Sequence, residues 1–148
     1  MTVSRTARES ALRMLYQREI SRETPERVRE IFWSIGKAEA HARNLANRLF
    51  DGVVERLEEI DALLKPHLEA WRMERLGALE RNILRLGTCE LLMRTEVSAR
   101  TVIEEAVELA RAYSSDESAA FTNGVLDAVR RGMPQLEGRR GRKKRRDK

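Results

Sequence analysis

Trp71-Arg-Met-Glu-Arg-Leu-Gly-Ala-Leu-Glu-Arg-Asn-Ile-Leu-Arg-Leu-Gly-Thr-Cys-Glu-Leu-Leu92 is the stretch on which the fold turns. Leu76, Leu79, Ile83 and Leu86 recur in it at steps of three and four, the spacing of one helix face. Leu84, Leu91 and Leu92 carry the apolar surface beyond a single stripe. A helix apolar on more than one side is enclosed by others, so this stretch is expected to be the central helix. Glycine inside a helix costs about 1 kcal/mol against alanine; a close helix crossing would account for Gly87.

Upstream, Val3 to Ile20 reads as a helix with Ala7, Ala11, Leu12, Leu15 and Tyr16 on its apolar side and Ser4 or Thr6 as its cap. Arg5 and Arg8 lie three apart near its start and emerge from neighbouring points. Cations there oppose the helix dipole, which favours anions at an N-terminus, and a bound phosphate would relieve the conflict. Thr24-Pro25-Glu26 is a helix start with Thr as cap and Pro in the first position. That helix runs through Val28, Ile31, Phe32 and Ile35 and stops at Gly36. Glu39 to Leu64 carries one long apolar pattern that Lys65-Pro66 should end. Downstream, Thr101 to Glu104 and Ser114 to Glu117 read as capping boxes, each opening a further helix, and Gly132-Met133-Pro134 closes the folded part. About seven helices with short connections and no strand candidate make an all-α bundle.

A chain of 148 residues suits one domain with a real core. No apolar run approaches the roughly 18 residues of a membrane span, and no apolar segment of the secretory type follows the N-terminus. The single Cys89 has no partner in the chain, which fits a reduced, cytoplasmic compartment. The net charge of +5 is unevenly spread. Residues 139–148 hold eight Lys or Arg and one Asp, a local +7, which leaves −2 on the rest. The expectation is a helical domain over 1–136 and a disordered basic tail over 137–148 that meets any polyanion.

Catalytic chemistry is missing from the pattern. There is no phosphate loop of the Gly-rich Lys-Ser/Thr type, and His41 and His67 have no partners at metal spacing. Cys89 lies in the enclosed helix and reads as a small core residue. Glu104, Glu105 and Glu108 read as a solvated face. No catalytic residue, cofactor or metal is expected, and the chain reads as a binding protein.

Three blocks together resemble the NusB family of transcription antitermination factors. They are Ala7-Arg8-Glu9-Ser10-Ala11 with Leu15-Tyr16; Trp71, Arg75-Leu76, Glu80-Arg81, Ile83 to Leu86 and Glu90-Leu91; and Glu105 to Ala110 followed by Ser118, Phe121 and Asn123 to Asp127. The resemblance implies an N-terminal three-helix bundle packed across a C-terminal four-helix bundle. It implies binding of the boxA element of nascent ribosomal RNA transcripts together with NusE, a small-subunit ribosomal protein. That complex joins RNA polymerase and other Nus factors, and no reaction is catalysed. Carried over residue by residue, the resemblance implies RNA contacts from Arg5, Arg8, Arg100, Glu117, Ser118 and Phe121, and NusE contacts from Tyr16, Glu74 and Glu80. Only Arg5 and Arg8 remain of the family's denser arginine cluster, and Glu117, Ser98 and Glu104 stand where Asp, Pro and Asn are frequent. Two other readings share these features: a chaperone-like ribosomal RNA assembly protein, and an accessory module of the kind fused to ribosomal RNA methyltransferases. The second needs an α/β domain for which this chain has no room. A homodimer is left open.

Overall fold

In a computed structural model the described residues are 3–68, 73–93 and 96–133. They form seven α-helices and no strand: α1 Val3–Ser21, α2 Pro25–Ile35, α3 Ala40–Glu55, α4 Leu57–Leu64, α5 Ala78–Met93, α6 Ala99–Tyr113 and α7 Asp116–Arg131. The 3-10 turns Lys65–His67 and Met73–Arg75 lie between α4 and α5.

The central helix is α5. Asn82, Ile83, Leu84, Leu86, Gly87, Thr88, Cys89, Glu90 and Leu91 are all buried, so it has no solvent side over these turns. It packs against α1, α3, α4, α6 and α7, while α1 also packs against α3 and α6 against α7. An added Cβ on Gly87 would stand 2.7 Å from Leu126 Cδ1 and 3.5 Å from Ala106 Cβ. A close crossing with α7 is therefore the reason for glycine there.

Several boundaries differ from expectation. The central helix begins at Ala78, because the 3-10 turn and Gly77 precede it; Trp71 lies outside the described residues. The pattern from Glu39 to Leu64 is two helices, broken at Arg56, whose φ of −110° and ψ of 22° leave the helical region. The apolar stripe continues across the break, with Val53 and Ile60 both fully buried, which hid it from periodicity. Helix α6 is capped by Ser98, whose Oγ accepts from Thr101 N, and α7 by Ser115, whose Oγ accepts from Ser118 N. Both capping boxes were thus placed away from the true cap. Ser4 and Thr6 sit inside α1 rather than before it, and Ile35, at the end of α2, is 81% exposed. Thr24 caps α2 through Arg27 N, and Gly36 ends it, as its sequence indicates.

Charged pairs fix α1 on α5. Arg8 meets Glu90, and eleven residues on, Glu19 accepts from Arg81, Asn82 and Arg85. The pairing runs in opposite directions along the two helices, so they lie antiparallel. Arg85 also holds both oxygens of Asp61 at 2.9 Å, which ties α4 to the same cluster. Burial pushes the Glu19 carboxyl up, but the hydrogen bonds and charges of Arg81, Asn82 and Arg85 outweigh it and hold Glu19 below the usual carboxylate range. The basic tail expected over residues 137–148 lies outside the described residues.

Candidate functional site

Six of the nine candidate residues line two hollows, one beside α6 and one just past its end. The first is a cleft of about 200 Å³ between α1 and α6, lined by Arg5, Arg8, Glu9, Glu105, Glu108, Leu109 and Ala112. Arg5 donates to Glu105 Oε2 at 3.0 Å, and its side chain is 46% exposed. Arg8 behaves differently. Its Nε lies 3.0 Å from both oxygens of Glu90, a second nitrogen lies 3.4 Å from Glu105 Oε1, and only 6% of its side chain is exposed. A guanidinium so enclosed by two carboxylates cannot turn toward an RNA strand without breaking the core. Arg8 thus ties α1 to α5 and α6, and Arg5 is the more exposed of the two arginines that line the cleft. Burial pushes the Glu90 carboxyl above the usual carboxylate range, with Arg8 working against it and Glu105 adding to it.

Glu105 is a second correction. It reads from sequence as solvated, yet its side chain is only 19% exposed and joins both arginines. Further along the same seam, Tyr113 donates to Glu9 at 3.0 Å and accepts from Arg13 Nε at 3.2 Å, and Arg111 pairs with Glu108 and Asp116.

The second hollow, of about 490 Å³, opens where α6 ends. Arg75, Leu76, Gly77 and Glu80 form one wall, and Ser114, Ser115, Glu117, Ser118 and Phe121 form the other. It brings Glu117, Ser118 and Phe121 together. Glu117 is exposed in the first turn of α7, where a carboxylate suits the helix dipole. Ser118 Oγ is buried with no hydrogen-bond partner among the described residues. Phe121 is half-buried: it packs against the core and also lines the hollow.

Glu80, for which the resemblance implies a NusE contact, takes a hydrogen bond from Ser114 Oγ and lines this hollow beside Glu117 and Phe121. Tyr16 is 42% exposed on α1. Arg100 is highly exposed in the first turn of α6 and pairs with Glu104, one turn on. The side chain of Glu74 lies outside the described residues. Among the described residues no group of His, Cys, Asp or Glu is arranged to hold a metal, and no helix is long and apolar enough to cross a membrane. Sequence reasoning missed Arg75 and Glu9 as lining residues, and Glu90 and Glu105 as partners of the arginines.

Comparisons with known proteins agree on one family. A family model described as the NusB family matches residues 5–131, a span that holds every candidate residue. A transcription antitermination protein NusB from Koribacter versatilis is 42% identical over 130 residues, covering 87% of this chain and 89% of that protein. One from Sorangium cellulosum is 39% identical over 132 residues, covering 89% of this chain and 94% of that protein. Among solved structures, a crystal structure of the antitermination factors NusB and NusE in complex with double-stranded RNA contains a chain similar to this one. Its TM-score is 0.79 at 32% identity, covering 89% of this chain and 98% of that chain.

Proposed function

The chain belongs to the NusB family, and we propose from that premise that it is a cytoplasmic transcription antitermination factor. It binds the boxA element of nascent ribosomal RNA transcripts together with NusE, in a complex that joins RNA polymerase and other Nus factors. It acts by binding and catalyses no reaction.

The observation that carries this reading is the succession of the two hollows along α6. The cleft that presents Arg5 extends to Ala112, and the hollow lined by Phe121 begins at Ser114. Arg5 pairs with Glu105, so at about 1.5 Å of rise per residue its guanidinium and the hollow at the end of α6 stand roughly 13 Å apart along the helix. A guanidinium and a recessed aromatic ring spaced along this seam offer single-stranded RNA a phosphate contact and a base-stacking surface. Ser118 and Glu117 add a hydroxyl and a carboxylate that can meet the polar edges of a base. Arg100 extends the cationic side by another contact. Tyr16 supplies an exposed aromatic for NusE. Glu80 lies where its substitution would disturb the RNA-facing hollow as well.

The test is fluorescence anisotropy of labelled boxA RNA and a scrambled RNA of equal composition, with and without purified NusE. A preference for boxA that increases with NusE is expected. Phe121→Leu keeps apolar bulk and removes the ring face, and should weaken boxA binding by about 1–3 kcal/mol. Arg5→Ala should lower the slope of log affinity against log salt by about 0.7. Equal affinity for both RNAs in the presence of NusE, or no association with NusE by calorimetry, overturns the proposal.

A further inference from the structure

Three arginines line the two hollows. Arg5 and Arg8 are paired with carboxylates. Arg75 is exposed on the wall opposite Phe121 and makes no hydrogen bond or ion pair among the described residues. Two carboxylates share its hollow without closing on it. Glu80 accepts from Ser114 Oγ, and its other oxygen lies back over Gly77, where an added Cβ would collide with it. Glu117 is exposed on the α7 wall. The backbone that carries Arg75 is fixed. Arg75 ends the 3-10 turn Met73–Arg75, and Met73 is buried. One nitrogen of Arg81 donates to Met73 O at 3.1 Å and to Leu76 O at 2.8 Å, so it clamps carbonyls on both sides of Arg75. Arg81 in turn donates to both oxygens of Glu19 on α1. A guanidinium on such a mount gives up little backbone freedom on binding, and no internal carboxylate has to be displaced from it.

We propose that Arg75 is a phosphate-binding residue of the RNA site, holding the backbone of the strand whose base stands on Phe121. The inference rests on the reading of the chain as RNA-binding; the family resemblance implies no contact from Arg75. The hollow offers one cation and two acceptors around an aromatic ring. A nucleotide brings an anion, N–H donors and a ring in one unit: phosphate pairs with guanidinium through parallel N–H···O bonds, carboxylates accept from base amino groups, and the base stacks. An acidic protein segment brings only the anion and meets Glu80 and Glu117 with nothing to offset the repulsion. The contact is to the RNA backbone, so it strengthens binding without choosing a sequence.

The experiment is a salt titration of labelled boxA and scrambled RNA against the full chain as wild type, Arg75→Gln, Arg75→Lys and Arg48→Gln, read by fluorescence anisotropy without NusE. Thermal melting checks each protein, and calorimetry measures each against purified NusE. Arg48 is an exposed arginine of α3 that lines neither hollow, so its loss removes the same charge elsewhere. Arg75→Gln should lower the slope of log affinity against log salt by about 0.7 for both RNAs. A contact of that slope is worth about fivefold in affinity between 1 M and 0.1 M salt. Arg75→Lys keeps a point charge and should keep most of the slope. Arg48→Gln should leave the slope as in wild type, and all four proteins should melt alike. Equal slopes for Arg75→Gln and Arg48→Gln overturn the proposal. A loss of NusE affinity in Arg75→Gln with the RNA slope unchanged also overturns it and gives Arg75 to the protein partner. Failure of the boxA reading looks different: wild type would bind both RNAs equally, and the Arg75 slope would still be decided on either one.

Discussion

Replacing Arg8 by methionine tests the distinction between an anchoring and a binding arginine. The pair with Glu90 is almost dry, with 6% of each side chain exposed, and Arg8 also reaches Glu105. Removing one member of such a pair leaves the other charge buried without a partner, at about 3–5 kcal/mol. At roughly 2–8 °C per kcal/mol for domains of comparable size, the melting temperature should fall by on the order of 10–20 °C. Arg27→Met, which removes an exposed pair with Glu30 on α2, should cost less than about 1 kcal/mol. Arg8→Met/Glu90→Met should recover most of the loss, because apolar residues of similar volume often replace a buried pair without net cost. Urea titrations followed by far-UV circular dichroism measure all four proteins. The reasoning is refuted if Arg8→Met stays within about 1 kcal/mol of wild type, or if the double variant is no more stable than the single one. The result also governs how RNA data are read. A loss of RNA binding in an Arg8 variant would report a loosened α1 before it reported a missing phosphate contact.

Gly87→Ala should destabilise by about 1–3 kcal/mol from overpacking, less about 1 kcal/mol gained in helix propensity, since Leu126 Cδ1 would lie 2.7 Å away and Leu126 is fully buried; Leu126→Val in the same chain should relieve part of the cost, and a Gly87→Ala protein more stable than wild type would show that the crossing is loose. Stability should fall on acidification, because the Glu19 carboxyl is held below its ordinary value of 4.5: a depressed acid contributes stability above its unfolded value and loses it as pH drops below that value toward the folded one. Glu19→Gln should flatten this acid limb in pH-dependent melting, and an unchanged limb would remove the Arg81–Glu19–Arg85 cluster from the account. Cys89 is fully buried and burial pushes its thiol up to about 11, so a thiol reagent should leave it unmodified at neutral pH until denaturant is added; rapid modification of native protein would mean that α3 and α5 part readily.

Local apolar spacing carried the fold because each helix buries one broad stripe, and α5 more than one. Leu76, Leu79, Ile83 and Leu86 placed that helix correctly in the chain, but not its start. Apolar periodicity does not register a turn that keeps the stripe in phase, as at Arg56 between Val53 and Ile60. The caps show a related weakness. Thr101 and Ser114 each head a plausible four-residue box, but Ser98 and Ser115 are the residues with extended backbone (ψ of 153° and 169°) whose Oγ accepts a backbone N–H. A cap is decided by where the chain turns out of the helix, and neighbouring hydroxyl residues leave that choice to tertiary packing.

The two arginines mark where sequence reasoning stops at the site. Arg8 precedes Ala11, Leu12 and Leu15 by three, four and seven residues, so it shares their buried stripe; Glu90 follows Ile83 and Leu86 by seven and four and shares theirs. A lone cation on one core stripe and a lone anion on another are a signal that the pair was visible in the sequence. Arg5 lies on the same side of α1, one turn earlier, and the antiparallel course explains its different fate. With Glu19 beside Arg81 and Arg8 beside Glu90, position 5 falls against the end of α5 at Met93. There Arg5 pairs with Glu105 of α6 and keeps 46% of its side chain exposed. No spacing within α1 encodes where α5 stops. The relation of Arg5 to Glu105, exactly one hundred residues apart in sequence, likewise exists only once α1 and α6 are laid side by side. The charge that the cleft can offer RNA is thus set by helix ends and crossings, while the residue types that supply it are set by the chain.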